Sequence, residues 1–186
     1  MDERLFAGLK NRDLGREDIV IAEGRLLVDR MLASGWEVLG VLCGSRMASE
    51  YAARAGDSVP LTVKSDAEME ALAGFKFHRG VMAACRRPSS HSLRSLVEEN
   101  PSIEKLVICP DIGSPANLGS IMRSAAAFGY GALVTGARCS DPLGRMALKA
   151  SMGAPFTLTL ATMGDEAADT DFLRERGFAL YGTVLS

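Results

Sequence analysis

At 186 residues, 47% of them apolar and with a formal charge of −2, the chain suits one large or two small domains with a real core. That balance excludes a protein coating nucleic acid by bulk charge, but leaves room for local basic patches. No apolar run approaches the ~20 residues that span a bilayer, Met1-Asp2-Glu3-Arg4 lacks the apolar stretch of a secretory signal, and four cysteines without C-x-x-C pairing beside two histidines predict neither a zinc site nor a disulfide framework. A soluble protein of the cytoplasm, with no metal, is expected.

In chain order, residues 17–87 read as a compact α/β unit. Asp18 to Ala22 make a short strand or turn, and a helix runs from Gly24 to Ser34 with Leu26, Leu27, Met31 and Leu32 on one side. Val38 to Cys43 is a strand, Ala48 to Ala55 a helix and Leu61 to Val63 a strand. Asp66 caps a helix over 67–72, and Val81 to Cys85 is the next strand. Pro88, Ser89, Ser90, His91 and Ser92 break the pattern, placing a boundary at about residue 90. Beyond it, a helix over Leu93 to Glu99 leads into strands Lys105 to Cys109, Ala132 to Thr135, Phe156 to Leu160 and Phe178 to Val184. Helices from Asn117, from Asp141-Pro142 to Gly153, and from Glu166 to Arg176 separate them. Near-continuous apolar strands alternating with helices predict a parallel sheet covered on both faces.

Residues 109–129 are the most informative stretch. Asn117 can cap a helix through its side-chain oxygen; Leu118, Ile121, Met122, Ala125 and Ala126 form its buried stripe, and Gly129 ends it. Ser120, Arg123, Ser124 and Ala127 then fall on the outer face, with Arg123 beside loop 111–117. Gly113 and Gly119 are too far apart for a dinucleotide fingerprint, and no G-K-[ST] follows for a P-loop. On spacing alone this is a capped helix carrying a solvated cation. Elsewhere Lys76, His78 and Arg79 cluster, as do Arg86-Arg87 and Lys10, Arg12 and Arg16, while acid gathers at Asp165, Glu166, Asp169 and Asp171. Such runs are solvated faces as readily as binding patches.

The string Asp111-Ile-Gly-Ser-Pro115-Ala-Asn117-Leu-Gly119-Ser-Ile121-Met-Arg123-Ser-Ala125-Ala-Ala-Phe128-Gly129 resembles the first signature of the SpoU (TrmH-like) RNA methyltransferases. Lys149-Ala-Ser151-Met-Gly153-Ala154 resembles that family's following K-x-S-x-G-A block, while Glu23-Gly24 and His78-Arg79-Gly80-Val81 resemble its accessory domain. The resemblance implies an N-terminal RNA substrate-binding domain over 1–90 and a SPOUT-type methyltransferase domain over 91–186. The implied reaction moves a methyl group from S-adenosylmethionine to a ribose 2′-oxygen of rRNA or tRNA, by a homodimer. Arg123 and Asn117 become the implied catalytic residues. With a pKa above ~12, arginine is a poor base, so phosphate clamping and hydroxyl orientation suit Arg123 better.

Lys149, Ser151 and Arg145 are read as RNA contacts, or equally as the polar end of a helix. His78 and Arg79 are further RNA candidates, His78 by stacking on a base or by packing between domains. Thr183 and Leu185 resemble a strand end bordering the cofactor. The family's later G-x-E-x-x-G and S-L-N blocks, which thread a C-terminal knot and supply most of the cofactor pocket, do not occur in these 186 residues. The domain is therefore expected to be incomplete, and this chain alone to be inactive and to bind no cofactor. The alternatives are a non-catalytic RNA-binding module and, less in keeping with the missing glycine fingerprint, a generic α/β enzyme of small molecules.

Overall fold

The computed structural model describes residues 3–9, 18–74, 76 and 80–183. Two four-stranded sheets organise it, each with helices on both faces. His78, Arg79 and Leu185, along with Lys10, Arg12 and Arg16, lie outside the described residues.

The first sheet holds β1 (Ile19–Glu23), β2 (Val38–Gly44), β3 (Leu61–Lys64) and β4 (Val81–Arg86) in the order β1-β4-β2-β3. β4 is antiparallel to both β1 and β2, whereas β2 and β3 run parallel. Strand periodicity sorts the side chains of β4. Val81, Ala83 and Cys85 join a core with α1 (Arg25–Ala33) and α2 (Ala48–Ala55). Met82 and Ala84 join another with α3 (Asp66–Ala73) and the 3-10 turn Glu3–Phe6. With both faces covered, the strand carries apolar residues at every position from Val81 to Cys85. Ser65, not Asp66, caps α3: its hydroxyl accepts from the Glu68 backbone, and the Glu68 carboxylate accepts from Ser65 N at 2.8 Å, a reciprocal capping box.

The second sheet holds β5 (His91–Ser92), β6 (Leu106–Cys109), β7 (Ala132–Thr135) and β8 (Thr159–Thr162), all parallel, in the order β5-β8-β7-β6. Ala132 and Val134 face α4 (Leu93–Glu99) and α7 (Glu166–Glu175), while Leu133 faces α5 (Pro115–Ala127) and α6 (Arg145–Ala150). Asp169 is buried on α7, where it accepts from Gly164 N at 2.8 Å and from Arg94 of α4 at 3.1 Å.

Several expected elements differ. Of the strand foreseen over 156–160, only Thr159 and Leu160 belong to β8; Phe156 closes a 3-10 turn, Ala154–Phe156, and the N–H groups of Phe156, Thr157 and Leu158 bond back to Gly153 and Ala154 carbonyls instead of a neighbouring strand. Asp141 does not cap a helix. It accepts from Leu143 N at 3.0 Å and pairs with Arg87, and the helix begins four residues later at Arg145. Residues 178–183 form no strand, since an apolar run becomes one only when an edge pairs with it, and Tyr181 is left 94% exposed.

α6 belongs to both cores. Leu148 packs with the first sheet and α1, and Ala147 with α5 and the second sheet. Trp36 meets Phe156 edge-to-face at 5.1 Å across the same junction.

Candidate functional site

The cap of α5 lies three residues before the expected one. Ser114 is the N-cap, accepting from Asn117 N at 3.4 Å, and Pro115 takes the first helical position. Proline is favoured there because its φ is pre-set and it lacks only an N–H that would have been unpaired. The consequence for Asn117 is large. It sits in the first turn, exposed, and its side-chain amide has no hydrogen-bond partner among the described residues.

The outer face of α5 is as the periodicity predicts: Ser120, Arg123, Ser124 and Ala127 are exposed, and Leu118, Met122 and Ala125 are buried. Arg123 makes no ion pair among the described residues. Asn117, Ser120 and Arg123 follow at three-residue spacing, a slanted row spanning about 9 Å along the axis. Phe128, just past the last turn, is 75% exposed.

Beside this row, two loops leaving the carboxyl ends of β6 and β7 are laced together. Cys139 Sγ donates to Cys109 O at 2.9 Å and receives Ile112 N at 3.2 Å, while Ser140 N donates to Ile112 O at 2.9 Å. Arg138 bonds Asp111 at 2.8 Å, and the carboxylate holds the guanidinium charged beyond its ordinary range. Gly136 lies so close to Pro110 that a Cβ would fall 2.2 Å from its carbonyl oxygen. Carboxyl ends of parallel strands are where α/β sheets hold ligands. Arg138 was not foreseen from the sequence, because its partner is 27 residues away and no local pattern links them.

The other expected residues are placed differently. Ser151 is 1% exposed and its hydroxyl donates to Leu148 O at 3.0 Å, so it closes α6 and offers nothing to a ligand in this arrangement. Arg145 and Lys149 do share a face, one turn apart, but that face meets Glu23 of β1. Lys149 Nζ lies 2.7 Å from Glu23 Oε2, and Arg145 bonds both Glu23 Oε1 and Leu9 O. Beside them a cleft of about 390 Å³ opens between the first turn of α1 and the stretch from Lys149 to Met152. Gly153 holds φ +81°, where a Cβ would press on Leu27 and Phe156, and Met152 before it also sits at φ 55° with its carbonyl bound by Arg30 at 2.6 Å.

Thr183 lies on an exposed stretch without regular structure. Leu185 lies outside the described residues.

Residues 104–186 match the family model of the SpoU rRNA Methylase family. The similarity to the SpoU family thus lies in this portion of the chain. An uncharacterised tRNA/rRNA methyltransferase of Mycobacterium bovis is 36% identical over 163 residues, which is 87% of this chain and 56% of that protein. The chain thus spans about half the length of the curated relatives it matches. Among solved structures, an AdoMet-bound rRNA methyltransferase from Sinorhizobium meliloti shares the fold with a TM-score of 0.67 at 24% identity, over 95% of this chain and 64% of that one. A structure described as an RNA 2′-O ribose methyltransferase gives a TM-score of 0.64 at 26% identity, over 93% and 64%. The matched portion contains α5, both laced loops and α6, so Asn117 and Arg123, without side-chain partners among the described residues, lie within it.

Proposed function

We propose that the protein takes part in methyl transfer from S-adenosylmethionine to a ribose 2′-oxygen of rRNA or tRNA, with residues 115–128 facing the RNA. The observation that carries this reading is the pair of exposed side chains, Asn117 and Arg123, without partners among the described residues, on a helix of the portion that matches the SpoU family model. The likeness to an RNA 2′-O ribose methyltransferase supports the choice of oxygen. When bound, S-adenosylmethionine supplies an electrophilic methyl group.

Arg123 carries five N–H donors and no acceptor, so it cannot take the hydroxyl proton. Its task is to grip a phosphate beside the target ribose and to stabilise negative charge growing on the 2′-oxygen. Asn117 can accept from the hydroxyl and donate to a neighbouring oxygen, fixing the direction of attack. The proton leaves to water. Residues 1–90 act as the RNA-holding half of this reading, with His78 and Arg79 as further contacts, and residues 91–186 as the catalytic half. Phe128, bare at the end of α5, fits a homodimer in which a second copy covers it.

The test is to incubate the complete gene product with methyl-labelled S-adenosylmethionine and total rRNA or tRNA, then digest to nucleosides. Label in a 2′-O-methylnucleoside is expected. RNA binding without transfer would leave a non-catalytic RNA-binding module, and label on a base would move the chemistry off the ribose.

A further inference from the structure

We infer that Glu23 is a positioning residue for the site on α5, acting through α6. This rests on the function proposed above. Glu23 ends β1 and is 3% exposed. Its two oxygens reach different cations, Oε1 to Arg145 and Oε2 to Lys149, which lie four residues apart on one face of α6. Two cations so placed repel, and an anion between them removes the repulsion. In a buried position that balance matters more than at a surface, because removing one partner leaves an uncompensated charge.

α6 depends on such ties. It is six residues long and its N-cap, Gly144, offers no side-chain bond. Isolated helices of that length do not persist in water. Leu148 anchors it to the first sheet, and Arg145 also reaches Leu9 O of the N-terminal segment.

Its far side meets Gly119 of α5. A Cβ on Gly119 would stand 2.5 Å from Ala150 Cβ, 2.7 Å from Ala147 O and 3.0 Å from Ser151 N. Backbone touches backbone there with no flexible side chain between, so a shift of α6 passes to α5 undamped. Arg123 follows Gly119 by one helical turn. Glu23-Gly24, a motif with no role in the chemistry, thereby sets the helix that presents Arg123. The RNA-holding half and the catalytic helix are joined at this carboxylate.

The experiment compares wild type, Glu23→Gln, Glu23→Asp, Lys149→Met and the Glu23→Gln/Lys149→Met double variant of the complete gene product. It measures kcat and KM for RNA methylation, RNA affinity at two salt concentrations, and amide hydrogen exchange over 115–123 and 145–150. Glu23→Gln is expected to lower kcat by up to about 100-fold, the scale of a small misplacement far from the chemistry, with KM for RNA nearly unchanged. Lys149→Met should do the same, the double variant should be no worse than either single one, and Glu23→Asp should recover part of the rate.

Two results would overturn the inference. One is Glu23→Gln binding RNA more tightly at undiminished kcat, which would make Lys149 a phosphate grip released from its carboxylate. The other is unchanged exchange over 115–123 in both Glu23→Gln and Lys149→Met. Exchange also separates the two proposals: if wild type transfers no methyl group, the proposed function fails, while faster exchange at 115–123 in the variants still upholds the coupling. Should Glu23→Gln not fold, Glu23→Asp and Lys149→Met carry the same readouts.

Discussion

Gly119 and Ala150 are packed so closely that hydrogen is the only side chain Gly119 can carry: a Cβ there would come within 2.5 Å of Ala150 Cβ. Backbone on both sides of the contact leaves no flexible group to yield. Gly119→Ala should therefore destabilise the fold by about 1–3 kcal/mol, as overpacking does, despite alanine's better helix propensity. Urea unfolding of the two forms checks this. An unchanged or raised midpoint would mean that the helices can part freely.

Arg123 projects from the same helix into solvent, so its removal should leave stability within about 0.5 kcal/mol. Arg123→Ala is expected to abolish methylation in the complete gene product while its thermal midpoint stays put. Arg123→Lys keeps the charge but loses the planar fork, and should retain only a small part of the rate. Near-wild-type turnover in Arg123→Ala would take the residue out of the mechanism.

Stability should fall on the alkaline side. Burial pushes the Cys85 thiol up to about 12 and, with Cys139 adding to it, the Cys109 thiol up to about 11, from an ordinary value of 9.0. Burial chiefly, with its bond to Asp29, raises the Tyr51 phenol as well. The folded chain holds these protons more tightly than the unfolded one, so their contribution is intact below pH 9 and is lost as pH climbs toward 11 and 12. Denaturant midpoints at pH 8 and pH 10.5 should drop in that order. Replacing Cys85 and Cys109 by alanine should flatten the difference, and an equally steep loss in that variant would assign the effect elsewhere.

Ser65→Ala removes the hydroxyl half of the capping box at the start of α3, which accepts from Glu68 N and donates to the Glu68 carboxylate, and leaves the backbone N–H half in place. A loss of about 1 kcal/mol is expected, with faster hydrogen exchange confined to the first turn of that helix. Exchange that quickens across the whole first sheet would show that α3 is more than a cover.

How far these features could be read beforehand depended on distance along the chain. α2 and α4 emerge from apolar spacing alone, since each buries a face whose period is visible within one short window, and β7 emerges from a short apolar run buried on both faces. The exposed face of α5, including Arg123, follows from the same periodicity. Its start was misplaced because Ser114-Pro115 and Asn117 both carry helix-opening signals, and the earlier pair prevails. β5, two residues long, is too short to show any period. The partners of Arg145 and Lys149 were out of reach. Glu23 lies 122 residues before Arg145, and two cations one turn apart look the same whether they face water or a buried carboxylate. The SpoU signature could mark residues 111–129 and 149–154, yet it could not say which of them had already spent their charge inside the molecule.

The double allegiance of α6 bears on how this chain can be taken apart. A cut in the Pro88–Ser90 stretch severs the polypeptide between the end of β4 and the start of β5. The resulting fragments would each present a bare half of one seam: Glu23, Leu27 and Trp36 on one, Leu148, Lys149 and Phe156 on the other. Each piece is expected to be less stable alone than in the whole, and mixed together they should reassemble into a nicked protein.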